Sequence, residues 1–169
     1  MADIHDILPR RSLVDSTNAP LFDGQYHMGF LTADIEAAQE RMAARFGISQ
    51  YRVKRDPQAI WSAHAFAGDM MIEIVQPGPD APAMFQEDRP GGGEVRLHHI
   101  GYLVRDAERF AEIEAIVERE GWNTLHRSNS MDGHLRVIFI DQRATLGYHQ
   151  EYVFLTGPAL HLYDDVPAN

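Results

Sequence analysis

Four residues of two types offer the most legible chemistry in this chain: His27, Glu73, His99 and Glu151. A histidine opens each of two short apolar runs, His27-Met-Gly-Phe-Leu and His99-Ile-Gly-Tyr-Leu. A glutamate interrupts each of two others, Met70-Met-Ile-Glu-Ile-Val and His149-Gln-Glu-Tyr-Val-Phe-Leu. Alternation along a strand puts Glu73 on one face with Met71 and Val75, and Ile72 and Ile74 on the other. A carboxylate set into an apolar strand is costly unless it is paired or binds a cation. Two neutral imidazoles and two carboxylates suit one divalent metal ion of borderline character, zinc, nickel, cobalt, iron or manganese. Around an octahedral ion, four protein ligands leave two positions for water or for two neighbouring oxygens of a small-molecule substrate. Glu151 or Glu73, loosened from the ion, would then move a proton. His149 lies two residues before Glu151 and shares its strand face, which makes it a pocket acid or base, or part of the pocket wall.

The four residues come as a repeated pair. Tyr26-His-Met-Gly-Phe-Leu-Thr-Ala-Asp-Ile-Glu36 aligns with His98-His-Ile-Gly-Tyr-Leu-Val-Arg-Asp-Ala-Glu108, identical at five of eleven positions, each matched pair 72 residues apart. The His-to-Glu separation is 46 residues in the first copy and 52 in the second. Such a register marks an internal duplication. In each copy the strand runs to an aspartate, Asp34 or Asp106, suited to cap a helix. The helices carry apolar stripes at Ile35, Ala38 and Met42, and at Phe110, Ile113 and Val117. Gly47 and Gly121 stand where helices end. Further strands are expected over Ala59 to Ala67 and Met70 to Val75, then Leu135 to Asp141 and Tyr148 to Leu155. The chain divides into an N-terminal arm (1–24), a first module (25–76), a Pro/Gly-rich linker or lid (77–95), a second module (96–156) and an irregular tail (157–169).

Composition narrows the field. A net charge of -10 repels phosphate backbones and anionic lipid, which argues against nucleic acid and membrane partners. With no cysteine there is neither disulfide nor thiolate, so a bound metal must rest on nitrogen and oxygen. No secretory pattern opens the sequence and no apolar run approaches bilayer length, so a cytoplasmic setting is expected.

These segments, YHMGFLTADIEAA, HHIGYLVRDAERF, MIEIVQP and GYHQEYVFL, resemble the vicinal oxygen chelate superfamily. That group includes glyoxalase I, methylmalonyl-CoA epimerase, extradiol dioxygenases and bleomycin-resistance proteins. The resemblance covers about Tyr26 to Thr156 and implies an α+β fold of tandem βαβββ modules, a cupped mixed sheet around a metal site. It places His27, Glu73, His99 and Glu151 at the family's four metal positions, closest to the glyoxalase I and epimerase branch. It implies a lyase or isomerase that removes a proton beside a carbonyl, working as a homodimer. The alternatives are an extradiol-type dioxygenase, whose iron triad uses two His and one Glu, and a non-catalytic binding or resistance protein.

Other residues have plainer readings. His64 shares a strand face with Ser62 and Phe66 and is a lesser candidate for the pocket. His98, next to His99, should point to the opposite face and be structural. His126, His134 and His161 should be surface residues, Trp61, Met70 and Met71 core, and Glu87 to Pro90 solvated loop. Gly91-Gly92-Gly93 lacks the strand, helix and lysine of a phosphate loop.

Overall fold

A computed structural model describes residues 24–169; apart from Gly24, the expected arm lies outside the described residues. The first half runs β1 (Gln25–Thr32), α1 (Ile35–Phe46), β2 (Arg52–Arg55), β3 (Ile60–Ala67) and β4 (Met70–Pro77). A short helix α2 (Ala83–Glu87) follows. The second half repeats the order: β5 (Val95–Val104), α3 (Ala107–Glu120), β6 (Thr124–Ser130), β7 (Leu135–Ile140), a turn of helix α4 (Arg143–Leu146) and β8 (His149–Leu155).

Local chemistry sets the helix ends. The Asp34 side chain accepts from Ala37 N at 3.0 Å and that of Asp106 from Arg109 N at 2.7 Å, each satisfying an otherwise unpaired helical N–H. Gly47 and Gly121 close the same helices at φ of 73° and 66°, left-handed values that glycine adopts without a Cβ clash. The stripes face inward as expected. Ile35, Ala38 and Met42 pack on Ala63, Ala65, Ile72 and Ile74. Phe110, Ile113 and Val117 pack on Tyr102, Ile138, Ile140 and Tyr152.

The eight strands form one sheet in the order β2-β3-β4-β1-β5-β8-β7-β6. Each half contributes four, and the halves meet where β1 pairs antiparallel with β5. Within each half the opening strand runs parallel to the last, β1 with β4 and β5 with β8. Helices α1 and α3 cover one face. The other face carries a smaller apolar cluster of Leu31, Val75, Ala81, Met84, Phe85 and Phe139.

Two segments depart from expectation. The Pro/Gly-rich stretch does not break all helix: Pro82, with its fixed φ, leads into α2, which buries Met84 and Phe85 against the open face of the sheet. The tail is not irregular throughout. It makes a 3-10 turn at Gly157–His161 and then runs beside β3, where Phe66 N donates to Pro167 O at 2.8 Å and Asn169 N to Phe66 O at 3.0 Å. Among the described residues, no helix is long and apolar enough to cross a membrane.

Ile113 is fully buried between α3 and the sheet. Ile113→Ala should cost about 2–5 kcal/mol through lost burial and a residual cavity, and Asp106→Ala about 1 kcal/mol through the lost cap, both read from urea denaturation midpoints.

Candidate metal centre

The seam between the halves positions the candidate ligands. In the β1/β5 ladder Gly29 lies opposite His99, and His27 opposite Gly101. The neighbouring parallel strands extend these rows: Glu73 of β4 lies beside Gly29, and Glu151 of β8 beside Gly101. One row therefore reads Glu73, Gly29, His99 across β4, β1 and β5. The other reads His27, Gly101, Glu151 across β1, β5 and β8. Strands are spaced about 4.8 Å apart, so a His and a Glu two strands apart meet only by leaning over the residue between them. That residue is glycine in both rows. A Cβ on Gly29 would overlap the His99 ring, and one on Gly101 the His27 ring.

The side-chain tips converge. His27 Nε2 and His99 Nε2 are 2.9 Å apart. His99 Nε2 is 3.1 Å from Glu73 Oε2, and His27 Nε2 is 3.1 Å from Glu151 Oε2. The longer separations, His27 to Glu73 and His99 to Glu151, are 3.6 and 3.7 Å. Each histidine is thus nearest the glutamate of the other half. Both imidazoles are buried, while both carboxylates open partly on a cavity of about 180 Å3. The donor set fits a divalent cation, because two imidazole nitrogens and two carboxylates face one point. Glu151 Oε2 is also buried there without a hydrogen-bond donor.

The two carboxylates differ. Burial alone would raise the Glu73 carboxyl. Hydrogen bonds from His64 and His99, with the neighbouring imidazoles, overcome this and hold it well below the usual carboxylate range. His64 Nε2 lies 3.2 Å from Glu73 Oε1, so both Glu73 oxygens are engaged. His64 therefore props a candidate ligand, and it does not line the cavity. Burial, then the charges of Glu151 and Tyr163, raise the phenol of Tyr26 beside His27.

Several placements revise the sequence reading. His98 does not point to the helix side. The β5 register skips from His99 opposite Gly29 to Leu97 opposite Phe30, leaving His98 as the extra residue of a β-bulge. Bulges re-aim a side chain, and His98 Nδ1 comes to 2.9 Å from His99 Nδ1. A matching bulge lies at Tyr26, where the β1 register passes from Gln25 to His27. His149 shares the strand face of Glu151 but stands one cavity away: its Nε2 is 2.7 Å from Asp88 Oδ2 and its Nδ1 3.4 Å from Asp141 Oδ1. Asp88 is accordingly part of a buried polar cluster with His98 and His149, not only solvated loop. His126 is not merely a surface residue; with Ser128 it lines the cavity that holds Glu73 and Glu151. His134 meets Thr156 Oγ1 at 2.9 Å, and His161 is exposed against Asp164. Tyr163, in the tail, packs on Tyr26 and His64; only contacts across the fold could have revealed it.

Residues 26–139 match the family profile described as Glyoxalase/Bleomycin resistance protein/Dioxygenase superfamily, a span that includes His27, Glu73 and His99. The chain belongs to this superfamily. Solved structures of the same fold include methylmalonyl-CoA epimerase from Mycobacterium tuberculosis, 17% identical, with a TM-score of 0.58 over 85% of this chain and 95% of that one. A hypothetical protein from Bacillus halodurans is 19% identical, TM-score 0.55, over 80% and 96% of the two chains. A Streptomyces coelicolor methylmalonyl-CoA epimerase variant in complex with 2-nitronate-propionyl-CoA is 19% identical, TM-score 0.53, over 79% and 97%. At these identities the likeness to the superfamily members is one of fold. No curated protein sequence matches the chain.

Each glycine at the seam leaves room for one imidazole. Gly29→Ala should displace the His99 ring and Gly101→Ala the His27 ring, each costing about 1–3 kcal/mol as overpacking does. An alanine at Gly78, which is also crowded by backbone, is the control that should destabilise without moving either imidazole. Histidine ring chemical shifts in the three variants check the difference.

Proposed function

We propose that this superfamily member is a metal-dependent lyase or isomerase that removes a proton next to a carbonyl, glyoxalase-like or acyl-CoA epimerase-like. The observation that carries this reading is the convergence of His27, Glu73, His99 and Glu151 at the floor of a cavity walled by apolar side chains, among them Phe85 and Phe139. A bound divalent ion would supply positive charge beside the carbonyl as negative charge develops on its oxygen.

The protein's own groups divide the remaining work. His27 and His99 present their Nε2 atoms, and Glu73, held by His64, supplies negative charge without freedom to turn. Glu151 is the freer carboxylate: its Oε2 has no hydrogen donor and it borders the cavity. Glu151 takes the α-proton on its carboxylate and returns it, to the same carbon in an epimerase or to its neighbour in an isomerase. Phe85, Val75 and Phe139 keep water from the carbanion, which strengthens each electrostatic contact inside. Hydrogen bonds from His126 and Ser128 hold a polar group of the substrate at the cavity wall.

A second reading has one observation in its favour. His27, Glu73 and His99 form a compact group by themselves, the two-His-one-carboxylate set of oxygen-activating iron sites. Oxygen uptake with a catechol by iron-loaded protein would establish that reading and displace the first.

Glu151→Gln should lower exchange of substrate α-protons for deuterium by roughly a hundredfold to ten-thousandfold, followed by proton NMR with hemithioacetals and acyl-CoA epimers. Wild-type protein loaded with metal that exchanges neither would defeat the proposed reactions. A chelator should lower the melting temperature by roughly 5–10 °C, as expected for a ligand at a hundredfold excess over its dissociation constant. Zinc, nickel or cobalt should restore it, and His99→Ala should abolish the restoration. Because the ligands bind metal only when deprotonated, affinity should fall as pH drops, which isothermal titration at several pH values measures.

A further inference from the structure

A second cluster of donors lies beside the candidate centre and takes no part in it. Asp88 follows the end of α2, His98 is the bulged residue of β5, and His149 opens β8. Asp88 Oδ2 is 2.7 Å from His149 Nε2 and 3.7 Å from His98 Nε2, and one ligand atom from each of the three lies within 4.8 Å of the others. The two rings are 4.7 Å apart and inclined at 61°. Both histidines are almost wholly buried. All three side chains line a cavity of about 110 Å3, with Leu31, Leu97 and Tyr148 around it.

A hydrogen-bonded core cluster would use each of its nitrogens. Here His98 Nε2 is buried with no hydrogen-bond partner, and it faces the other two donors. The groups behind the cluster suit a cation. Arg143 Nη1 holds Asp88 Oδ1 at 2.6 Å, which leaves Oδ2 toward the imidazoles. Asp141 Oδ1 stands 3.4 Å behind His149 Nδ1, as carboxylates do that orient metal-bound imidazoles. Asp88 and Asp141 against Arg143 leave a net negative charge beside the two rings. The duplication does not supply this cluster twice. Tyr26 takes the bulge in the first half, and Met71 stands beside His27 where His149 stands beside His99.

We propose that Asp88, His98 and His149 form a second divalent-cation site, separate from the four-residue centre. Two imidazole nitrogens and one carboxylate oxygen suit zinc, cobalt, nickel or iron(II), and the cavity leaves room for water to complete the coordination. An ion there would tie the linker to β5 and β8. His98 Nδ1 is 2.9 Å from His99 Nδ1. With an ion on each Nε2 both Nδ1 atoms would carry a proton, so that contact lengthens or the two centres fill one at a time. The full chain carrying His27→Ala and Glu73→Gln cuts the first set down and leaves the second whole. Titrated with cobalt(II), it should bind one ion and show on His98 and His149 the large contact shifts of ring N–H protons that mark a coordinated imidazole. Adding Asp88→Asn, which can keep the Arg143 contact through Oδ1, should weaken that binding about tenfold to hundredfold. If the double variant does not fold, the same shifts and the same effect of Asp88→Asn are read in the wild-type chain. No contact shift on His149 at millimolar cobalt, or an affinity indifferent to Asp88→Asn, overturns the proposal. Cobalt bound by wild type, lost in the double variant and untouched by Asp88→Asn supports the first centre and overturns this one. Binding lost in Asp88→Asn and kept in the double variant sustains this site and counts against the first.

Discussion

Space at the β1/β5 seam is the constraint on which the site depends. Two imidazoles must lean across a pair of hydrogen-bonded strands, and a side chain on the facing residue would occupy the same volume. Gly29 and Gly101 remove that conflict. Because the strands are antiparallel, each His-x-Gly segment supplies both the ring and the gap for the other's ring. The parallel neighbours β4 and β8 then bring Glu73 and Glu151 into the same rows. Neither half alone assembles the cluster, since each histidine is nearest the other half's glutamate. The helices do their part at a distance: α1 and α3 bury one face of the sheet and leave the other open for polar residues and the cavity.

Much of this was legible because the regular parts of the chain obey simple periods. The stripe of Ile35, Ala38 and Met42, the caps at Asp34 and Asp106, and the placing of Glu73 away from Ile72 and Ile74 all follow from local geometry, and all appear in the fold. The duplication brought the four candidate ligands into view together. Alternation failed at His98, since a bulge inserts one residue and shifts the side-chain direction where it occurs. Nothing in HHIGYLV announces a bulge. Asp88, His126 and Tyr163 were missed for another reason. Their surroundings come from remote segments, and a loop aspartate or a tail tyrosine reads as solvated until the chain closes over it.

The linker contributes more than a connection. Helix α2 is only five residues long and gains its order from burying Met84 and Phe85. Phe85 touches both the apolar cavity and the imidazole pair His98 and His99. A small molecule entering that cavity would meet a wall that also packs the residues behind the candidate ligands, and movement of the wall would be felt at the histidines.

The bulges at Tyr26 and His98 occupy equivalent places in the two halves and carry different chemistry. Viewed from the centre, the candidate ligand set is close to twofold symmetric, with one histidine and one glutamate from each side. Behind it the symmetry is gone: a phenol and Tyr163 stand on one flank, an imidazole and Asp88 on the other. A flat trigonal carbon held over a perfectly symmetric centre would present two equivalent faces. Over this one its faces would look toward unlike surroundings, a left and a right built into the fold.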